Sequence, residues 1–92
     1  MAKRRFSARI SGRVQGVGFR FFAGEMANEF GITGYVRNVL DGSLEIVAEG
    51  EEEVLREYLD MLKHGPRAAR VTDVHVSWGP PSGEYDRFSV KP

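Results

Sequence analysis

From Arg5 to Val14 apolar and polar positions alternate. Phe6, Ala8, Ile10, Gly12 and Val14 fall on one face; Arg5, Ser7, Arg9, Ser11 and Arg13 fall on the other. A period of two is that of a strand with one buried face. After a glycine-containing loop the period changes. Phe19, Phe22, Ala23, Met26, Ala27 and Phe30 recur at the spacing of one buried helical face, which predicts a helix over 19–30. Gly31 suits the position just past its end. Gly34–Leu40 reads as a second strand, and Asp41-Gly42 as a two-residue hairpin turn. Ser43–Glu49 reads as a third strand that Gly50 breaks, with Leu44, Ile46 and Ala48 inward and Glu45, Val47 and Glu49 outward. Glu51, Glu52 and Glu53 place negative charge at the positive end of a second helix running to His64. Its stripe is Val54, Leu55, Tyr58, Leu59 and Leu62, and Gly65-Pro66 stops it. Val71–Trp78 follows as a fourth strand with Val74, Val76 and Trp78 inward, then a loop over 79–83, then a short edge strand over 87–91.

The order β-α-β-β-α-β plus a short strand is that of the split βαβ, the ferredoxin-like α+β sandwich. It predicts an antiparallel sheet with two helices on one face, a wet opposite face, and one domain over residues 1–92. A right-handed βαβ crossover makes the first two strands parallel, so their C-terminal ends share one end of the sheet. The first strand leads into the glycine loop and the second ends near Asn38. Asn38 shares a face with Val36, the helix-covered face. Arg20 and Asn38 are therefore expected to converge at the N-terminus of the first helix.

Composition narrows the function classes. The 13 basic and 13 acidic side chains cancel, which argues against a general nucleic-acid coater and makes any anion site local. No cysteine is present, which removes thiolate metal sites and a cysteine nucleophile. Met1-Ala2-Lys3-Arg4-Arg5 is basic without a following apolar segment, unlike a signal peptide, and no run has the length of a membrane span. A cytoplasmic protein is the expectation.

The stretch Gly12-Arg13-Val14-Gln15-Gly16-Val17-Gly18-Phe19-Arg20 lies between the first strand and first helix. Its glycines let the backbone turn tightly and bring N–H groups toward a ligand. With a helix N-terminus and a guanidinium beside them, they suit a phosphate-like anion. A dinucleotide fingerprint fits poorly because Gly16-Val17-Gly18 lacks the third glycine. A Walker A loop fails for want of the Gly-Lys-Ser/Thr ending. Asn38 reads either as a strand-end residue satisfying local backbone groups or as part of the site.

This stretch resembles the phosphate loop of the acylphosphatases nearly position for position. Gly34-Tyr35-Val36-Arg37-Asn38, followed by Asp41-Gly42 and Glu45, resembles their second motif. Element order and length also match, so the resemblance covers essentially the whole chain. It implies hydrolysis of acyl phosphates to a carboxylate and inorganic phosphate. It implies that Arg20 binds the phosphoryl group with backbone N–H groups of Gln15, Gly16, Val17, Gly18, Phe19 and Arg20, and that Asn38 positions the attacking water. It also implies no cofactor, no metal and no phosphoenzyme; a monomer is expected, with neither nucleic acid nor membrane as partner.

Other residues carry plainer readings. Asp41 is a turn residue, His64 a helix-end residue, and His75 an outward strand residue; two separated histidines make a weak metal case. Phe21 falls off the helical stripe and reads either as a buttress of the loop or as simply exposed. Two rival functions stand beside this one. One is a non-catalytic anion-binding module. The other is an RNA-binding ferredoxin-like domain, disfavoured because the outward positions of the two central strands carry no aromatic residue for base stacking.

Overall fold

Alternation in the first strand and helical spacing in the next segment translate directly into structure. In a computed structural model describing residues 2–92, the elements are β1 (Lys3–Arg13), α1 (Phe19–Phe30), β2 (Thr33–Asn38), β3 (Leu44–Glu51), α2 (Glu52–His64), β4 (Arg70–Gly79) and β5 (Phe88–Val90). They form one five-stranded sheet in the order β4-β1-β3-β2-β5. β3 is antiparallel to both β1 and β2, so β1 and β2 run the same way with α1 crossing between them. This is the expected ferredoxin-like α+β arrangement.

The sheet is mixed rather than wholly antiparallel, because β5 pairs parallel with β2. The path of the chain requires this. β4 is antiparallel to β1 and ends beside Arg5, at the end of the sheet where β1 begins. Residues 80–87 carry the chain from there to Gly34, where the Gly34 N–H donates to the Arg87 carbonyl at 3.0 Å. A strand that starts beside the start of β2 must run in the direction of β2. Its far end then reaches the end of the sheet that holds the glycine loop.

The core lies between the sheet and the two helices. Phe6, Ile10, Leu44, Ile46 and Val36 from the sheet meet Phe19, Ala23 and Ala27 of α1 and Leu55, Tyr58 and Leu62 of α2. Tyr58 is fully buried, which pushes its hydroxyl well above the ordinary tyrosine range. That hydroxyl donates to the Ala23 carbonyl at 2.8 Å, so α2 is tied to α1 through the core. Gly24 is also buried; a Cβ there would stand 2.6 Å from Cγ2 of Val90, so its absence lets β5 lie against α1.

Four local expectations are corrected. Gly12 is exposed, not inward, because the β1–β4 register shifts between Ser11 and Gly12. Gly50 does not break β3; it pairs with Arg4, and the strand continues to Glu51. The hairpin is not a two-residue turn. Gly42 N–H donates to the Val39 carbonyl and Val39 N–H to the Ser43 carbonyl, giving a three-residue loop. A two-residue type I′ turn needs positive φ at both central positions, and Asp41 does not have it. Finally, the face opposite the helices is only partly wet, since Val47 and Glu49 are buried there. Glu49 lies under residues 82–83, which donate to its carboxylate from both backbone N–H groups and the Ser82 hydroxyl. Among the described residues no helix is long and apolar enough to cross a membrane.

Candidate active site

β1 stops at Arg13, and the loop that follows turns through two left-handed glycines, Gly16 (φ 73°) and Gly18 (φ 79°). A Cβ at either would meet nothing within 4 Å. Glycine is therefore used here for its backbone freedom, not for room. Gly18 is the N-cap of α1 and supplies no side-chain cap, and the first turn carries no acidic residue. The positive end of the helix dipole is thus left without a negative partner from its own turn.

Gln15 ties this loop to the β2–β3 hairpin. Its Nε2 donates to the Val39 carbonyl at 2.8 Å and the Ser43 carbonyl at 2.9 Å. Gln15 thereby fastens the loop to the segment just after Asn38, and its side chain is occupied by that task. Val17 packs against the core. Gly16, Gly18, Phe19, Arg20 and Asn38 all line one cavity of about 240 Å³ at the N-terminus of α1. Arg20 and Asn38 come together as the crossover topology predicted.

The guanidinium of Arg20 is anchored from an unexpected quarter. Its Nη1 donates to the Lys91 carbonyl at 2.6 Å. Lys91 is held there by its own N–H, which donates to the Val36 carbonyl at 2.8 Å. The chain beyond β5 thus holds one arm of the fork. Asn38 ends β2, and its Oδ1 is buried with no hydrogen-bond partner among the described residues.

Three lining residues were not assigned to the site by the sequence: Val14, Phe21 and Val90. Phe21 carried a signal, since it lies off the α1 stripe. Neither Val90 nor the Lys91 carbonyl had one, because only β5 running parallel to β2 brings them here. Phe21 is exposed, at 68%, and it borders the cavity.

Neighbouring polar residues keep their plainer roles. Asp41 accepts from the Ser43 N–H and hydroxyl, which hold its carboxyl below the ordinary range; it is a turn residue. His64 contacts the Asp60 carbonyl one turn back, and His75 pairs with Asp73 on the exposed side of β4. Glu45 meets Arg37 and Tyr35 on the sheet face away from the helices. Burial pushes its carboxyl up, but the hydrogen bonds from Arg37 and Tyr35 outweigh burial and leave it low. Among the described residues no three His, Cys, Asp or Glu side chains gather into a metal-binding group.

A bare helix N-terminus, a two-glycine loop and a half-tethered guanidinium, the kind of surroundings that suit an anion, lie together in an α+β protein of the ferredoxin-like type. The acylphosphatase family model matches residues 6–90, and the chain belongs to the acylphosphatase family. It is 52% identical over 79 residues to an acylphosphatase of Thermus thermophilus, covering 86% of this chain and 90% of that one. The crystal structure of acylphosphatase from Bacillus subtilis superimposes with a TM-score of 0.93 at 36% identity, covering 97% of this chain and 99% of that chain. A similar fold occurs within full-length HypF in its phosphate- and nucleotide-bound form, with a TM-score of 0.85 at 27% identity, where the match spans 98% of this chain but 12% of that chain. The protein is thus an enzyme whose reaction class is hydrolysis of acyl phosphates.

Proposed function

We propose that the cavity is where the phosphoryl group is held and attacked. Arg20 and the backbone N–H groups of residues 15–20 bind its oxygens, and Asn38 orients the attacking water. The observation that carries this reading is that Arg20 and Asn38, from different elements, line one cavity at the uncapped start of α1.

The chemistry follows from the groups present. Phosphoryl transfer passes through a loose transition state, with charge spread over the equatorial oxygens and the leaving group. Donors already aimed at those oxygens lower the barrier without reorganising. A guanidinium can hold two oxygens in its planar fork. The Asn38 amide has both a donor and an acceptor, and a turn about its last side-chain torsion exchanges which of them faces the cavity. It can orient a water molecule but cannot deprotonate it. Water adds to phosphorus, the bond from phosphorus to the acyl oxygen breaks with its electron pair going to the carboxylate, and the water's protons pass to phosphate and solvent. A carboxylate leaves readily, so no strong enzymic base is required.

The reading includes turnover without a metal. What supports it is the lining, which contains no carboxylate, imidazole or thiolate among the described residues. The reading also includes action as a monomer.

Phosphate release from benzoyl phosphate in the presence of a chelator tests the assignment. Arg20→Ala should lose binding and turnover together. Asn38→Ala should keep inhibition by inorganic phosphate while kcat falls about 100-fold or more, as when a group acting in the transition state is removed. Near-normal kcat in Asn38→Ala would remove the water-positioning role.

A further inference from the structure

Among the described residues three large hydrophobic side chains are exposed: Phe21, Leu40 and Val90. Two of them, Phe21 at 68% and Val90 at 49%, border the same cavity as Arg20 and Asn38. Single exposed apolar residues are ordinary on a protein surface. Two from separate elements, meeting on one concave surface beside a phosphate-type site, make an apolar wall.

The helix explains how Phe21 comes to be there. Phe19 and Phe22 turn toward the core and touch edge to face, with ring centroids 5.9 Å apart. Successive residues on a helix point about 100° apart, so Phe21 follows Arg20 around the rim and cannot join the buried stripe. Val90, which lines the same cavity, lies against α1 because Gly24 offers no Cβ to keep it away. In an acyl phosphate one bridging oxygen separates phosphorus from the acyl carbon. A phosphoryl group on Arg20 therefore leaves the acyl group at the rim, within reach of these two side chains.

We propose that Phe21, with Val90, forms an acyl subsite that selects acyl phosphates whose acyl group is aromatic or bulky and apolar over those with a small one. The subsite deepens the functional reading above and rests on its placement of the phosphoryl group. Phe21 is a specificity residue: it touches the acyl group and takes no part in bond making.

The test is the ratio of kcat/KM for benzoyl phosphate to kcat/KM for acetyl phosphate in wild type, Phe21→Ala and Phe21→Leu. The side chain is exposed, so both variants should fold. In Phe21→Ala the ratio should fall about tenfold, the order of a lost apolar contact in a pocket, with the change carried by KM. Phe21→Leu, which keeps an apolar surface, should lie between the two. A ratio in Phe21→Ala within about twofold of wild type overturns the subsite, whatever the absolute activities. Competitive inhibition by inorganic phosphate separates this from the reading on which it rests. Phosphate inhibition left unchanged by Arg20→Ala overturns the Arg20 placement and the subsite with it; inhibition lost in Arg20→Ala with an unchanged ratio in Phe21→Ala overturns the subsite alone.

Discussion

Replacing Arg20 by lysine keeps the positive charge and removes the planar fork. In the native protein Nη1 of Arg20 is engaged with the Lys91 carbonyl at 2.6 Å, so the other N–H groups of the guanidinium remain for a ligand. A lysine ammonium has three donors on a compact charge. If one of them keeps the Lys91 carbonyl, the rest cannot offer two parallel N–H groups to two phosphoryl oxygens. The loss is then one charge-assisted hydrogen bond, about 1.5–3 kcal/mol. With a decade of rate for about 1.36 kcal/mol, kcat/KM should fall about 10- to 150-fold in Arg20→Lys. Arg20→Ala removes the charge and both bonds and should fall further. The assay is phosphate release from benzoyl phosphate at substrate concentrations well below KM. Alongside it, the inhibition constant for inorganic phosphate should rise in Arg20→Lys. Circular dichroism would establish that both variants are folded. A lysine variant within about threefold of wild type would refute the reasoning, because charge alone would then suffice and the geometry of the fork would count for nothing.

Two further predictions concern the loop and the sheet. Gly18 has φ 79° in open space, so Gly18→Ala meets only the left-handed backbone penalty, about 1–2 kcal/mol, and should lower Tm by roughly 5–15 °C. Gly18→Asn, which tolerates that conformation, should lose less; equal losses in calorimetry would show that backbone conformation is not the reason for the glycine. Burial pushes the Glu49 carboxyl up, but the Ser82 and Gly83 N–H groups, the Ser82 hydroxyl and Arg5 together hold it below its ordinary value of 4.5. Because the folded value is the lower one, its contribution to stability is full above that ordinary value and is lost as pH falls through the depressed one. Urea unfolding of Glu49→Gln between neutral pH and the acid limb should therefore show a shallower fall in stability than wild type, and an unchanged slope would count against this role.

Much of the fold was legible in the chain because it rests on short-range patterns. The helix from about Phe19 to Phe30 was legible, since its stripe and its end at Gly31 are local features. The convergence of Arg20 and Asn38 was legible for a different reason: the handedness of the crossover leaves only one arrangement of β1 and β2. Gly12 and Gly50 were misread because a register shift and a continued ladder depend on the partner strand, which periodicity along one strand does not see.

The element sequence, the helix-covered face and the make-up of the candidate site could be read from the amino-acid order alone, since all of these follow from spacing within a few residues and from one topological rule. Tertiary structure alone decided what surrounds that site. Lys91 lies far along the chain from Arg20, and nothing local announces that its carbonyl holds the guanidinium or that Val90 lines the same cavity as Phe21. Those contacts exist because residues 80–87 return the chain to the start of β2 and force β5 to run parallel to it, and such long-range closure leaves no periodic trace in sequence.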